Sequence, residues 1–234
     1  MNPANRTVIV TGAAGNLGAA VARAFADEGA NLVLVDLGRD SLEKVFGSEN
    51  DQRLFAPANL LEIAEATGVA QAALARFGKI DVLCNIAGGF RMGETVHETS
   101  DENWNFLFDI NTRTVLHAVR AVVPHMLAAG GGKIVNVGAF AAQKGAAQMG
   151  AYTASKATVI RMTEAMAAEL REKNINVNCV LPTIIDTPQN RAAMPKANPG
   201  KWVAPADLAN VIVFLASDAA RAVHGASVPV SALS

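Results

Sequence analysis

A chain of 234 residues, 51% hydrophobic and 18% charged, is long and apolar enough to bury one large α/β core. A formal net charge of −1, without clustering of Lys and Arg, argues against a nucleic-acid footprint, which needs a concentrated basic face. No apolar run reaches the ~20 residues that span a bilayer, and Met1 to Val10 lacks a basic stretch followed by a long apolar one, so the expectation is a soluble, cytoplasmic protein.

Thr7-Val8-Ile9-Val10 reads as a strand that ends at Thr11-Gly12-Ala13-Ala14-Gly15-Asn16-Leu17-Gly18. Beyond it, residues 19–28 recur with helical spacing at Val21, Ala24 and Phe25, which gives strand, glycine turn, helix. Such a turn lets backbone amides approach a pyrophosphate at the positive end of the helix, so Gly12, Gly15, Asn16, Leu17 and Gly18 are candidate cofactor-binding residues. Glycines also serve ordinary tight turns, and context must decide. Asn31 to Val35 reads as a second strand ending at Asp36, where a carboxylate can accept hydrogen bonds from the adenosine ribose and repel a 2′-phosphate. NAD, with NADH preferred over NADPH, is the cofactor this predicts. Arg39 reads as a solvated loop charge that could soften the discrimination.

Arg53 to Ala56 forms a third strand, with Asn59 just beyond it as a further cofactor candidate, and residues 60–77 carry a helical pattern through Ile63, Ala66, Ala70, Ala73 and Leu74. Ile80 to Cys84 is a fourth strand running into Asn85-Ile86-Ala87-Gly88-Gly89-Phe90. Loops at the carboxyl ends of parallel strands hold ligands, which adds Asn85, Ala87 and Gly88 to the cofactor set and Phe90 to the substrate side. Thr99-Ser100-Asp101-Glu102 fits a capping box, with Thr99 as cap and Glu102 reaching back, and opens one helix from Asp101 to about Leu127. Asn111 interrupts its apolar stripe, either as a satisfied structural amide or as part of a proton path.

Lys133 to Val137 is a fifth strand, and residues 138–150 lead to a helix with its core stripe at Val159, Ile160, Thr163, Met166, Ala167 and Leu170. That helix carries Tyr152, the only tyrosine, and Lys156 four residues on, so both point one way. A phenol titrates near ~10, and a cation beside it lowers that value and makes proton transfer feasible. An isolated Tyr-x-x-x-Lys is more often plain helix surface. Ala154, Thr158, Met162, Ala165 and Ala168 leave a second packing face, which predicts a homodimer or homotetramer. Asn174 ends the helix and Ile175 to Leu181 is a sixth strand. Residues 182–204 hold four prolines and little periodicity and read as a loop-rich substrate region; Pro205 to Ser217 is a helix and Ala226 to Val230 a last strand. Strands alternating with crossover helices predict a doubly wound, mostly parallel α/β sheet in one domain, 1–234. Cys84 and Cys179 lie in strand-like runs without metal-ligand spacing and read as buried free thiols in a reducing compartment, with no metal site.

Taken together and in this order, the glycine turn, Asp36, Asn85-Ile86-Ala87-Gly88, Asn111 and Tyr152-x-x-x-Lys156 resemble the short-chain dehydrogenase/reductase family over essentially the whole chain. The resemblance implies a Rossmann-type enzyme that passes a hydride between a nicotinamide and a small molecule. It makes Tyr152 the general acid/base, has Lys156 hold the nicotinamide ribose and lower the tyrosine pKa, has Asn111 anchor a water relay, and brings Thr187, with Pro182 and Ile185 nearby, to the cofactor. It also implies that the Tyr152 helix pairs with its symmetry mate.

Three positions depart from the family pattern. Asn16 stands where most members have glycine, although Asn tolerates positive φ. Thr183 follows Pro182 where glycine is usual, and Ala139 replaces the serine expected thirteen residues before Tyr152. With Ala87-Gly88-Gly89 before an aromatic, Gly138-Ala139, and the run Leu181-Pro182, Asp186-Thr187-Pro188, Asn190-Arg191, Met194-Pro195 and Trp202, the chain resembles the dihydropteridine reductase subgroup. That resemblance implies a quinonoid dihydropteridine-like substrate, with Phe90, Ile185 and Trp202 as an apolar wall and Ala139 and Gln148 beside it. The alternatives are a general ketone/alcohol reductase, in which Gln143, Gln148 or a water at Asn111 replaces the serine, and an NAD-binding regulatory protein with weakened catalysis. Arg91, Arg191 and Lys196 read as surface charges, one of which could face a polar substrate.

Overall fold

Thr7–Thr11 (β1) is buried at every position, as a strand covered on both faces must be, and its β-branched residues suit a pleated surface. In the computed structural model, which describes residues 5–234, β1 lies mid-sheet among Asn31–Val35 (β2), Arg53–Phe55 (β3), Val82–Asn85 (β4), Gly132–Val137 (β5), Ile175–Pro182 (β6) and Ser227–Val230 (β7). The strand order is β3-β2-β1-β4-β5-β6-β7, and every pairing is parallel, so the expectation of a mostly parallel sheet sharpens to a wholly parallel one. The chain winds outward from β1 to β3, then returns and winds the other way from β4. That reversal opens a crevice at the carboxyl ends of β1 and β4.

Period-two alternation assigns the two faces. Val8, Val10, Leu32 and Leu34 pack beneath Asn16–Asp27 (α1), Arg39–Phe46 (α2) and Pro205–Ala216 (α8). Ile9, Val33 and Val35 pack on the other side beneath Ile63–Phe77 (α3), Thr114–Ala129 (α5) and Gly150–Leu170 (α6). Asp101–Phe108 (α4) precedes α5, and Pro188–Ala193 (α7) is a short helix within 182–204.

Four local expectations are corrected. Arg39 is not a loop charge: it begins α2 and pairs with Glu43 at 3.2 Å and with Glu49, its guanidinium 5.6 Å above the Phe55 ring. The cap of α4 is Ser100, not Thr99, its hydroxyl accepting from the Asn103 N–H at 3.2 Å. The carboxylate that completes this cap is Glu94, from the preceding loop, which accepts from the Ser100 N–H and hydroxyl at 3.1 Å each. The long helix from Asp101 is split by a π turn over Asp109–Arg113, and Asn111 sits inside it. Asn16 needs no positive φ, because it is the first residue of α1; the left-handed residue of the turn is Gly12, at φ +63°.

Candidate active site and cofactor cleft

The glycine turn is fixed by how closely backbone approaches backbone. A Cβ on Gly18 would stand 2.1 Å from the Gly12 carbonyl oxygen, and one on Gly12 would stand 2.8 Å from the Ala87 Cα. Thr11 locks the same contact: its hydroxyl accepts from the Ile86 and Ala87 N–H groups at 3.0 and 3.1 Å and lies 3.4 Å from the Cys84 carbonyl. Sequence reasoning passed over Thr11, although a hydroxyl at the end of a central strand beside a chain reversal is the signal that could have found it. Asp36 accepts from the Ala14 N–H at 2.9 Å and the Leu37 N–H at 2.8 Å, which ties the turn to β2 and leaves a carboxylate with further acceptor capacity.

Together these elements wall a cavity of about 1070 Å³, lined by Gly12, Gly15, Asn16, Leu17, Gly18, Asp36, Asn59, Ala87, Gly88 and Thr187 among others. Glycines that cannot accept a side chain, amides at the start of a twelve-residue helix and a carboxylate at the end of β2 fit a dinucleotide in shape and chemistry. Three predicted cofactor residues sit behind the wall. Asn85 is buried, its amide donating to Asn136 Oδ1 at 2.8 Å; Asn136 in turn donates to the Thr163 hydroxyl at 2.8 Å, so β4, β5 and α6 are tied by a polar chain. Pro182 is buried at the end of β6, and Ile185 packs against the second core cluster. Thr183, where glycine was expected, keeps an ordinary φ and donates to the Ser231 carbonyl at 3.2 Å. Asn16 reaches across to Gln189 at 2.9 Å and joins the turn to α7, whose cap is Thr187.

Tyr152 and Lys156 lie one turn apart near the start of α6, as expected. The Lys156 ammonium is buried, donates to the Val137 carbonyl at 2.8 Å, and would lie 3.1 Å from a Cβ on Gly88, which places it against the cavity wall. Burial pulls its pKa down to about 8. The phenol moves opposite to expectation: burial pushes Tyr152 up to about 12, a desolvation effect that the neighbouring cation does not reverse. Cys179 is the second buried group beside the lysine, and burial raises its thiol to about 11.

Asn111 is a clamp. Its Oδ1 accepts from the Gly89 N–H at 3.0 Å, and its amide donates to the Gly89 carbonyl at 3.0 Å and the Ser155 hydroxyl at 3.1 Å. Both amide protons are spent, so the side chain has none to offer a relay water. Ser155, unmarked in the sequence, donates to the Tyr152 carbonyl at 2.8 Å, and Thr112 donates to the Ser155 carbonyl at 3.2 Å, which couples the π turn to the tyrosine helix.

On the substrate side, Phe90 meets the Tyr152 ring edge-on, with centroids 4.8 Å apart at 87°. Ala139 is buried in the cluster against which Tyr152 packs. Trp202 is only 7% exposed and has little ring face for a ligand, contrary to expectation. Gln148 is exposed at φ +59°, its carbonyl accepting from the Gly93 N–H at 2.9 Å, and the Gln143 amide turns back to the Phe140 carbonyl at 3.4 Å. Arg191 is paired with Asp186 at 2.6 Å. Among the described residues no cluster of His, Cys, Asp and Glu could hold a metal, and no helix is long and apolar enough to cross a membrane.

Residues 6–198 match the family model described as short chain dehydrogenase. The chain is 35% identical over 234 residues to D-threitol dehydrogenase from Mycolicibacterium smegmatis, spanning 94% of this chain and 89% of that protein. It is 34% identical over 233 residues to cis-4-hydroxycyclohexanecarboxylate dehydrogenase from Sinomonas cyclohexanicum, spanning 95% and 94%. Among solved structures, carveol dehydrogenase from Mycobacterium avium in complex with NAD matches with a TM-score of 0.90 at 28% identity, covering 99% of this chain and 98% of that one. The dihydropteridine reductase resemblance gains no support from these relatives, which are dehydrogenases by name.

Proposed function

Because the chain belongs to the short-chain dehydrogenase family of oxidoreductases, we propose that it interconverts a small secondary alcohol and its ketone, with NAD(H) as the cofactor. The observation that carries this reading is the pair beside the cavity, buried Lys156 against Gly88 and half-buried Tyr152 one helical turn away. The nicotinamide, when bound, supplies or takes the hydride. Tyr152 gives the proton to the carbonyl oxygen or takes it from the alcohol; burial holds the phenol up at about 12, so its resting form is the protonated one, which suits the reducing direction. Lys156 would hold the nicotinamide ribose, and Asn111 holds the loop before Phe90 in place. Gly12, Gly15, Asn16, Leu17 and Gly18 would take the pyrophosphate, Asp36 the adenosine ribose, and Ala87, Gly88 and Thr187 the remaining wall.

NADH is favoured over NADPH by the Asp36 carboxylate and by the absence of Lys or Arg from residues 11–18. Arg39 is already shared between Glu43 and Glu49, which leaves Lys44 as the cation that lines the cavity. Dissociation constants for both cofactors test this. NADH should bind more tightly, and Asp36→Ala should narrow the gap by about tenfold or more, as loss of a charge-assisted acceptor does; equal affinities in the unmodified protein would contradict it.

A quinonoid ring as substrate is a second reading, favoured by Ala139: such a ring accepts hydride without a strong oxyanion and does not need the missing hydroxyl. Steady-state assays with NADH and a panel of ketones and quinonoid dihydropteridines separate the two. A homodimer or homotetramer fits the exposed apolar side chains Trp104, Leu116 and Leu127 on α4 and α5, and light scattering that shows only monomer at micromolar concentration would refute it. Two buried free thiols fit a reducing, cytoplasmic setting.

A further inference from the structure

Tyr152 stands beside the Phe90 ring, whose centroid is 4.8 Å from its own, and packs against an apolar core cluster, neither of which offers a substrate a polar side-chain atom. Phe90 is held in place from behind. Asn111 bonds both the N–H and the C=O of Gly89 at 3.0 Å, and a side chain on Gly89 would come within 3.1 Å of Phe106 and Ile110, so the backbone has one path into Phe90. Past Phe90 the rim exposes the apolar side chains Met92 and Val96 alongside the polar Arg91, His97 and Gln148. The Gly93 N–H bond to the Gln148 carbonyl at 2.9 Å and the contact of Val96 with Gly150 hold this rim against the start of α6. Arg91, the cation of the rim, lies 3.8 Å from the Phe106 ring centroid and pairs with Glu102 at 3.5 Å.

From this geometry we infer that the substrate carries an apolar ring or alkyl face beside its reacting carbon, received by Phe90, and is not an open-chain polyol. A hydroxyl desolvated against Phe90 loses its water partners and gains none, which costs about tenfold or more in binding per group. Ring carbons at the same place gain by covering Phe90, which is 53% exposed. The inference rests on the alcohol/ketone reading of Tyr152 and narrows it.

The test compares kcat/KM for cyclohexanol and for threitol with NAD⁺, in the unmodified protein, Phe90→Ala and Phe90→Leu, with the NADH dissociation constant measured by fluorescence in each. The expected result is a preference for cyclohexanol of about tenfold or more that falls by about tenfold in Phe90→Ala, mainly through KM, and recovers in part in Phe90→Leu. NADH binding should stay within about twofold, which shows that the variants are folded. A preference for threitol, or an Ala substitution that leaves the ratio unchanged, overturns the substrate class while leaving the dehydrogenase reading in place. No turnover of either alcohol or its ketone, with NADH still bound, overturns the dehydrogenase reading and this inference with it.

Discussion

The two halves of the cleft are built from different materials. On the cofactor side the wall is backbone against backbone: Gly18 under the Gly12 carbonyl, Gly12 against Ala87, and Thr11 and Asp36 bonding main-chain amides across three strands. On the substrate side it is built on side chains, with the Phe90 ring on the Tyr152 ring, the Asn111 amide holding the Gly89 backbone and exposed Met92 and Val96 beyond. The lesson is that the first half takes its shape from close backbone approaches that only glycine permits, whereas the second takes its character from side chains.

The largest effect should come from breaking the backbone side. Gly18→Ala puts a methyl 2.1 Å from a carbonyl oxygen, so the turn must move, and NADH affinity should fall by at least about a hundredfold. Gly145→Ala, where nothing lies within 4 Å, should leave it unchanged. Titrating NADH into both variants checks the contrast, and equal affinities would mean that the glycine wall is not where the cofactor sits.

That asymmetry also explains what was legible in the sequence. The close backbone approach at Gly12 and Gly18 and the place of Asp36 at the end of β2 were readable because they follow from local geometry at a strand end, and the strands because buried parallel strands are continuous apolar runs. Asn111 as a clamp, Glu94 completing the Ser100 cap and Arg39 neutralised by two glutamates depend on what folds opposite them, which no local pattern encodes. The Tyr152 phenol was misjudged for the same reason. Helical spacing brings a cation close, but the burial that outweighs it comes from the tertiary structure.

A smaller effect would sharpen the substrate side. Ala139→Ser supplies the hydroxyl that the family pattern has at this position, and because an oxyanion donor contributes up to ~10²–10³ in rate, kcat/KM for a simple ketone should rise by about tenfold or more. On a quinonoid pterin the same change should do nothing or reduce turnover. Parallel assays on both substrates decide which chemistry this wall suits.

The smallest effect is a pH profile. With Lys156 at about 8 in the free protein, kcat/KM for NADH should fall as pH rises through about 8 and the ammonium loses its proton. Lys156→Arg should move that fall out of range. Linkage gives the opposite sign for stability. A lysine depressed from 10.5 to about 8 means the unfolded chain binds more protons between those values, so this residue's contribution to stability rises with pH there. Tyr152, raised from 10.0 to about 12, withdraws stability above pH 10. Thermal melts of Lys156→Met and Tyr152→Phe against the unmodified protein check each sign.

The central claim is that the half-buried phenol of Tyr152 is the proton donor, and the most direct measurement is single-turnover reduction of a ketone by prebound NADH in Tyr152→Phe. This account predicts unchanged NADH binding and a rate lowered by about 10²–10⁴, the contribution expected of a positioned general acid. Hydride transfer at the unmodified rate would contradict it, because the proton would then come from a group other than Tyr152.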